Sequence, residues 1–418
     1  MTNTAALTDD SPAAVAATKA ALRRQLGDPR AAFAAATADI EAAVGQIVAE
    51  RESLTDGESV IPTVDFADVA ADRVAAPTRA AITRKGCVVV RQTFPRAQAV
   101  AWDQEVADYL DCNDFASHHR PVDDGIFAGL AAGTPPILDI YWSRPQLEVR
   151  AHPNMGVVQS FLNSFWRHES EGRTWFDPTG DAAYPDRVRR RPPGTASAGL
   201  SPHTDSGSVE RWLLPAYQQV FRHVFSGDWE KYDPWDGAYR TDVDEFPSTV
   251  MCSAFRTFQG WTALSDMHPR DGVLHVIPVP RAMGFVLLRA LQDDIADDDL
   301  CGARNGRALA VEAEHHELLL PAYSPIPEVE SGDTVWWIGD LVHGVGEVSG
   351  SERWGNVMYI PAAPWCHKNA AYARQCGQAF LAGHSPGDFS PQHYEADFAD
   401  RATLADLDPL TRRRYALA

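Results

Sequence analysis

The sequence predicts a mainly β fold, a barrel or double-sheet jelly roll, with helical support in front of it. Three observations carry this. Beyond about residue 250, short apolar stretches alternate with turn signals such as Pro269-Arg270-Asp271-Gly272 and Ser331-Gly332-Asp333, the punctuation of a closed or double-layered β structure. Residues 12–54 are instead rich in Ala, Glu, Arg and Gln, with Leu22, Leu26, Phe33, Ile40, Val44 and Ile47 spaced by helical turns. Finally, metal-ligating residue types fall at what read as strand ends, where a β scaffold presents a site.

Taken in order, residues 12–54 form two helices broken at Gly27-Asp28-Pro29, and 61–66 is a short extended segment. A helix over 77–84 leads to a strand at 86–91, where Val88-Val89-Val90 is too short and too β-branched for a helix. A second helix runs from Pro95 to about Leu110. Residues 111–136, with His118-His119, read as loop, 137–142 as a strand and 153–168 as a helix. Arg187, Arg189, Arg190 and Arg191 form a basic run closed by Pro192-Pro193-Gly194; its alternating members either face solvent or line an anionic pocket.

A helix follows over 215–225. Residues 227–247 place Trp229, Tyr232, Trp235 and Tyr239 among aspartates, prolines and glycines, an irregular insertion of the kind used as a lid or binding loop. Strands are expected at 253–264, 272–279, 283–288, 317–320, 334–338 and 354–361. No internal repeat or low-complexity linker divides the chain. The expected organisation is an N-terminal helical segment, 1–58, and a single domain, 59–418, with its β core at about 195–365, the insertion at about 227–247 and a helical and loop tail at 366–418.

Composition sets the surroundings. Of 418 residues 45% are hydrophobic and 22% charged, as in soluble globular proteins, and 12 tryptophans suggest a heavily walled interior or pocket. With 37 basic against 57 acidic residues the formal charge of −20 repels phosphate backbones and anionic lipid surfaces, so a small-molecule substrate is expected and neither nucleic acid nor membrane. Cys87, Cys112, Cys252, Cys301, Cys366 and Cys376 form no C-x-x-C pair, and reduced thiols are expected. The first 20 residues lack the two parts of a secretory signal, and no window approaches the roughly 18 apolar residues of a membrane span. A cytoplasmic protein is the expectation.

The chemistry centres on Ser201-Pro202-His203-Thr204-Asp205-Ser206-Gly207. On a strand, residues two apart share a face, so His203 and Asp205 can grip one metal ion. A facial triad of two histidines and a carboxylate, the non-heme iron arrangement, needs one more histidine. His343 supplies it, at the far end of Gly332-Asp333-Thr334-Val335-Trp336-Trp337-Ile338-Gly339-Asp340-Leu341-Val342-His343, with enough chain after Asp205 for the remaining strands. Two other pairs compete. His393-Tyr394-Glu395 lies after His343 in a polar tail, and His315-His316-Glu317 sits too close to the Gly332 turn to close a barrel around it. Arg353, ten residues beyond His343, is placed to return beside the metal on an antiparallel strand, where a guanidinium can hold the distal carboxylate of 2-oxoglutarate bidentately. Gln259 and Trp261 are candidates for the pocket wall, and Trp336, Trp337 and Trp354 for keeping it dry.

The order His-x-Asp, Gly-Asp turn, distal histidine and arginine resembles the Fe(II)/2-oxoglutarate-dependent oxygenases. Gly260-Trp261-Thr262-Ala263-Leu264-Ser265-Asp266 and Asp271-Gly272-Val273-Leu274-His275-Val276-Ile277-Pro278 are similar to their phytanoyl-CoA-dioxygenase-like branch. The stretch from Arg353 to Pro364, Ala379-Phe380-Leu381-Ala382-Gly383-His384-Ser385-Pro386 and Phe398-Ala399-Asp400-Arg401-Ala402 resemble the YbiU-like family, from about residue 60 onward. The resemblance implies a double-stranded β-helix (jelly roll, cupin-like) core, Fe(II) on His203, Asp205 and His343, and O2 with 2-oxoglutarate as cosubstrate, its 5-carboxylate on Arg353. It implies decarboxylation to succinate with hydroxylation, or desaturation, of a small polar metabolite; the retained Asp205 argues against halogenation. Pro278-Val279-Pro280-Arg281 departs from the usual Pro-Gly-Ser-His and leaves substrate identity open. Two rivals stand beside this reading: a cupin-type metalloenzyme that does not use 2-oxoglutarate, and a metal-free jelly-roll binding protein.

Overall fold

A computed structural model describes residues 11–120, 137–205, 212, 214–243, 253–303 and 307–417. Of the expected features, residues 121–136, Ser206, Gly207, 244–247 and Cys252 lie outside these. The two N-terminal helices form where capping chemistry places them. Helix α1 (Pro12–Leu26) starts on Ser11, whose hydroxyl accepts from the Ala14 amide, and α2 (Pro29–Glu52) starts on Asp28, whose carboxylate accepts from Ala31; each has proline in its first turn. Gly27 between them takes φ +74°, open to a residue without Cβ. Helix α2 turns Ala32, Ala36, Ile40, Val44 and Ile47 inward and packs against the turn at Glu317–Ala322 and the helix Ala282–Arg289. At 24 residues it is, by length and composition, apolar enough to cross a membrane, contrary to the expectation that no segment approaches this; its inner stripe here is packed on protein.

Two sheets share one apolar core. The larger is mixed and seven-stranded, in the order Thr63–Asp65, Cys87–Arg91, Thr334–Trp337, Gln259–Ala263, Val357–Tyr359, Val188–Arg189, Ile137–Leu138. Only its first pair is parallel. The smaller is five-stranded and antiparallel, in the order Leu309–Ala310, Leu200–Thr204, His343–Val345, Leu274–Val276, Ser324–Pro325. Register fixes which side chains share a face. Trp337 lies opposite Gln259, Trp261 opposite Tyr359, and Val357 opposite Arg189. With the two-residue period of a strand, Gln259, Trp261, Tyr359, Val357 and Arg189 point to one side, the side on which Gln259 reaches the smaller sheet. On the other side Trp336 lies flat over Gly260, where any Cβ would strike its ring.

Several expectations are corrected. Helix outweighs strand in the chain, so the protein is sheets plus helices rather than mainly β. The 283–288 segment is a fully buried helix, Ala282–Arg289, and 317–320 is a 3-10 turn; a continuous apolar run does not distinguish a buried strand from a buried helix. The strand expected over 354–361 is confined to Val357–Tyr359, and the larger sheet takes strands from well before residue 195. In the 227–247 insertion, Trp229, Tyr232 and Trp235 are buried core residues. The described cysteines are free thiols.

Candidate metal centre

His203 is the fourth residue of Leu200–Thr204, and His343 opens His343–Val345 directly opposite it. Their rings stand 4.5 Å apart. The close approach of the two strands depends on Gly344, where a Cβ would strike the Leu200 carbonyl and the Tyr323 hydroxyl. Each imidazole is held from behind: Nδ1 of His203 donates to the Ser201 carbonyl at 2.9 Å and Nδ1 of His343 to the Leu341 carbonyl at 3.0 Å. A carbonyl only accepts, so Nδ1 carries the proton and Nε2 presents its lone pair. Both Nε2 atoms face Asp205, that of His203 3.6 Å from Oδ1 and that of His343 3.6 Å from Oδ2. The three ligand atoms lie within 4.8 Å of one another, the one such cluster of His, Cys, Asp or Glu groups among the described residues.

Protonation states suit a cation. Burial, with His203 alongside, pushes His343 down to about 4, so its ring is neutral at physiological pH. Burial also works to raise Asp205, but His343, His203 and Arg256 outweigh it and hold the carboxyl well below the ordinary carboxylate range. Two imidazoles and a carboxylate are a donor set that fits Fe(II), and the rear hydrogen bonds of the rings are those a ligating histidine needs.

Gln259 acts from the facing sheet. Its Nε2 donates to Oδ2 of Asp205 at 2.7 Å, while its buried Oε1 has no partner among the described residues. The Trp337 ring stands 5.3 Å from that of His343. A cavity of about 70 Å³ opens on Asp205 and Gln259, lined also by Arg240, Arg256, Asp340 and Lys368. Asp340 and Arg240 form a buried ion pair at 2.7 Å. Asp340 belongs to the stretch that ends at His343, but no sequence motif marks Arg240, Arg256 or Lys368, which the fold gathers from distant segments.

The remaining candidates fall elsewhere. Arg353 is not brought to the cluster: it is half exposed and pairs with Glu328 at 3.3 Å. Trp261 is buried on the inner face of its strand but does not line this cavity, and Trp354 is exposed under Arg190. Of the competing pairs, neither His315 with Glu317 nor His393 with Glu395 forms a cluster. Glu395 instead accepts from the amides of Tyr141 and Trp142 and from the Tyr109 hydroxyl, tying the tail to the body of the protein.

Fold and site together define a helix-flanked protein with a His-Asp-His cluster, able to hold a metal, between its two larger sheets. The chain belongs to the Gig2-like family, whose sequence profile matches residues 9–417. It is 50% identical to the Escherichia coli K12 protein YbiU over 401 residues, 96% of this chain and 94% of that one. Among solved structures, a Salmonella typhimurium LT2 protein provisionally named an oxidoreductase superposes with a TM-score of 0.93 at 48% identity over 97% of each chain. The product of Candida albicans GlcNAc Inducible Gene 2 superposes at 0.80 with 25% identity, over 96% of this chain and 89% of that one.

Proposed function

We propose that this protein is an oxidoreductase, a non-heme Fe(II)- and 2-oxoglutarate-dependent oxygenase built on a double-stranded β-helix. The observation that carries the reading is the convergence of His203, Asp205 and His343, each imidazole turned so that Nε2 faces the same carboxylate. Strand order supports the jelly-roll part. Taken in sequence with the short Leu309–Ala310 edge strand set aside, eight strands beginning at Val188–Arg189 divide four and four between the two sheets, alternating except at the hairpin-like pair Leu274–Val276 and Ser324–Pro325, which both lie in the smaller one.

His203, Asp205 and His343 would hold the iron. Bound there, iron supplies the centre at which O2 is reduced while 2-oxoglutarate is decarboxylated to succinate and CO2 and a substrate C–H bond is hydroxylated. The chain's own part is positional. The Ser201 and Leu341 carbonyls fix the two rings, Gln259 fixes the carboxylate, and Trp337 shields His343 from water. The recess lined by Arg240, Arg256 and Lys368 beside Asp340 suits a small polar metabolite with an anionic group, and such chemistry fits a cytoplasmic enzyme.

The surface position of Arg353 favours a second reading, a metalloenzyme on the same site that does not use 2-oxoglutarate. One experiment decides. Anaerobic Fe(II) plus 2-oxoglutarate is expected to give a weak visible charge-transfer band that His343→Ala abolishes, with succinate released on admitting O2 and substrate. A band unchanged in that variant sinks the site assignment; Fe(II) binding without a band or succinate selects the second reading.

A further inference from the structure

The basic run 187–191 divides into two kinds of arginine. Arg187 lies near Asp186 and Asp139, at 3.6 and 3.9 Å, and Arg190 near Asp103 at 3.4 Å. Arg189 and Arg191 have no carboxylate within ion-pair distance among the described residues, although they are 7% and 3% exposed. Arg189 donates from Nε to the Gly355 carbonyl at 3.2 Å and touches the Met267 sulfur through Nη2 at 3.7 Å. Its Nη1 takes no hydrogen bond among the described residues. Arg191 donates to the Gly272 carbonyl at 3.3 Å and to the Asp271 carbonyl, and its buried Nε has no partner there. Burial, then the charge of Arg189, pushes the Arg191 pKa down.

Register places this pair. Arg189 lies opposite Val357 on the inner face that carries Tyr359, Trp261 and Gln259, and Gln259 is bonded to Asp205. Tyr359, opposite Trp261 and two residues from Val357 on the same strand, continues this inner surface from Gln259 towards Arg189. The strand after His343 offers no cation of its own here. Two residues before that strand, Val357–Tyr359, stands Gly355, and the space a Cβ would fill there is taken by the Arg191 guanidinium. Two guanidinium ions on one buried face repel each other and lose hydration, a cost that the Asp271 carboxylate offsets only in part, from beyond ion-pair distance of Arg191, and that an anion relieves.

We propose that Arg189, backed by Arg191, is the carboxylate anchor of this site, taking the far end of the 2-oxo acid whose near end lies at His203, Asp205 and His343. The anchor thus comes from the strand Val188–Arg189 and not from Arg353. The assignment rests on the iron and 2-oxoglutarate reading for the ligand's identity, but its anion chemistry is testable without metal. A planar guanidinium matches a carboxylate with two parallel hydrogen bonds, which an ammonium does not reproduce.

The test uses the full-length protein with two probes, 2-oxoglutarate and glutarate, the latter having both carboxylates but no oxo group. With metal removed by chelator, millimolar glutarate is expected to raise the melting temperature of the wild type. Arg189→Met is expected to melt no lower than the wild type without ligand, because an unpaired buried charge has gone, and to lose the glutarate shift. With anaerobic Fe(II), its 2-oxoglutarate affinity is expected to fall roughly 30- to 100-fold while Fe(II) affinity is unchanged. Arg189→Lys should recover part of the loss, and Arg353→Gln should bind both probes as the wild type does. Retained dicarboxylate binding in Arg189→Met, loss of it in Arg353→Gln, or a wild type blind to both probes overturns the proposal. If the wild type binds no Fe(II), the iron reading fails while the glutarate arm still decides the anion site.

Discussion

Replacing Gln259 by leucine asks how much of the candidate metal centre is made by a residue outside the His-Asp-His cluster. Gln259 is 6% exposed and gives its one productive bond to Oδ2 of Asp205, the oxygen that also faces His343. Leucine keeps most of the volume and removes the donor. A hydrogen bond to a charged group contributes about 1.5–3 kcal/mol, so the carboxylate loses about that much positional stabilisation. Translated into affinity this is about 10- to 100-fold, the range found when an outer partner of a metal ligand is lost. Anaerobic titration with Fe(II), read by competition with a coloured chelator, measures it directly. The melting temperature of the metal-free variant should stay close to or above that of the wild type, because the orphaned amide oxygen disappears with the donor. Fe(II) affinity within twofold of the wild type would refute the idea that Asp205 is held from the facing sheet.

Two other outcomes concern the frame around the site. Burial pushes Glu395 up to about 7 against the bonds from Tyr141, Trp142 and Tyr109 that favour its ionised form. A carboxyl raised in the folded state contributes stability that is fully present below about pH 4.5 and lost as pH rises through about 7, about 3 kcal/mol in all. Glu395→Gln should therefore flatten the fall in urea stability between pH 5 and pH 8, and an unchanged slope assigns the pH dependence elsewhere. Gly344→Ala should cost about 1–3 kcal/mol by pushing the strands bearing His203 and His343 apart, and should weaken Fe(II) binding along with the melting temperature. A variant with wild-type values for both would show that the approach of these strands is not set by that glycine.

The candidate metal-binding cluster was legible because two separate signals converged. His203-Thr204-Asp205 is a local pattern whose geometry follows from strand periodicity, and His343 ends a turn-strand unit with its own signature. Arg353 shows where spacing stops being informative. Ten residues beyond His343 is the right length for a return strand, but regular pairing begins only at Val357, and the side chain at 353 runs out to Glu328. The run 187–191 was visible as alternating charge, yet which members keep an acid depends, beyond the adjacent Asp186, on Asp103 and Asp139, which only the fold brings near. Glu395 had looked like part of a competing ligand pair, since nothing local reveals hydrogen bonds to residues some 250 positions earlier. The 283–288 misreading has a simpler cause: every side chain there is buried, so no polar face reports the period.

The strand Cys87–Arg91 carries a further consequence, for the ribosome rather than the site. Its Val88, Val89 and Val90 are fully buried, and its antiparallel partner, Thr334–Trp337, is roughly 240 residues further along the chain. At about 5–20 residues per second, that partner is synthesised ~12–50 s after the valines. Until then an apolar β-prone run has one bare edge, with only the short Thr63–Asp65 strand available on the other side. Refolding from denaturant faces the same wait in another form, since so distant a pairing must close a long loop before it is rewarded. Yield in cells should accordingly depend on chaperone supply during the second half of translation more than on the stability of the finished protein.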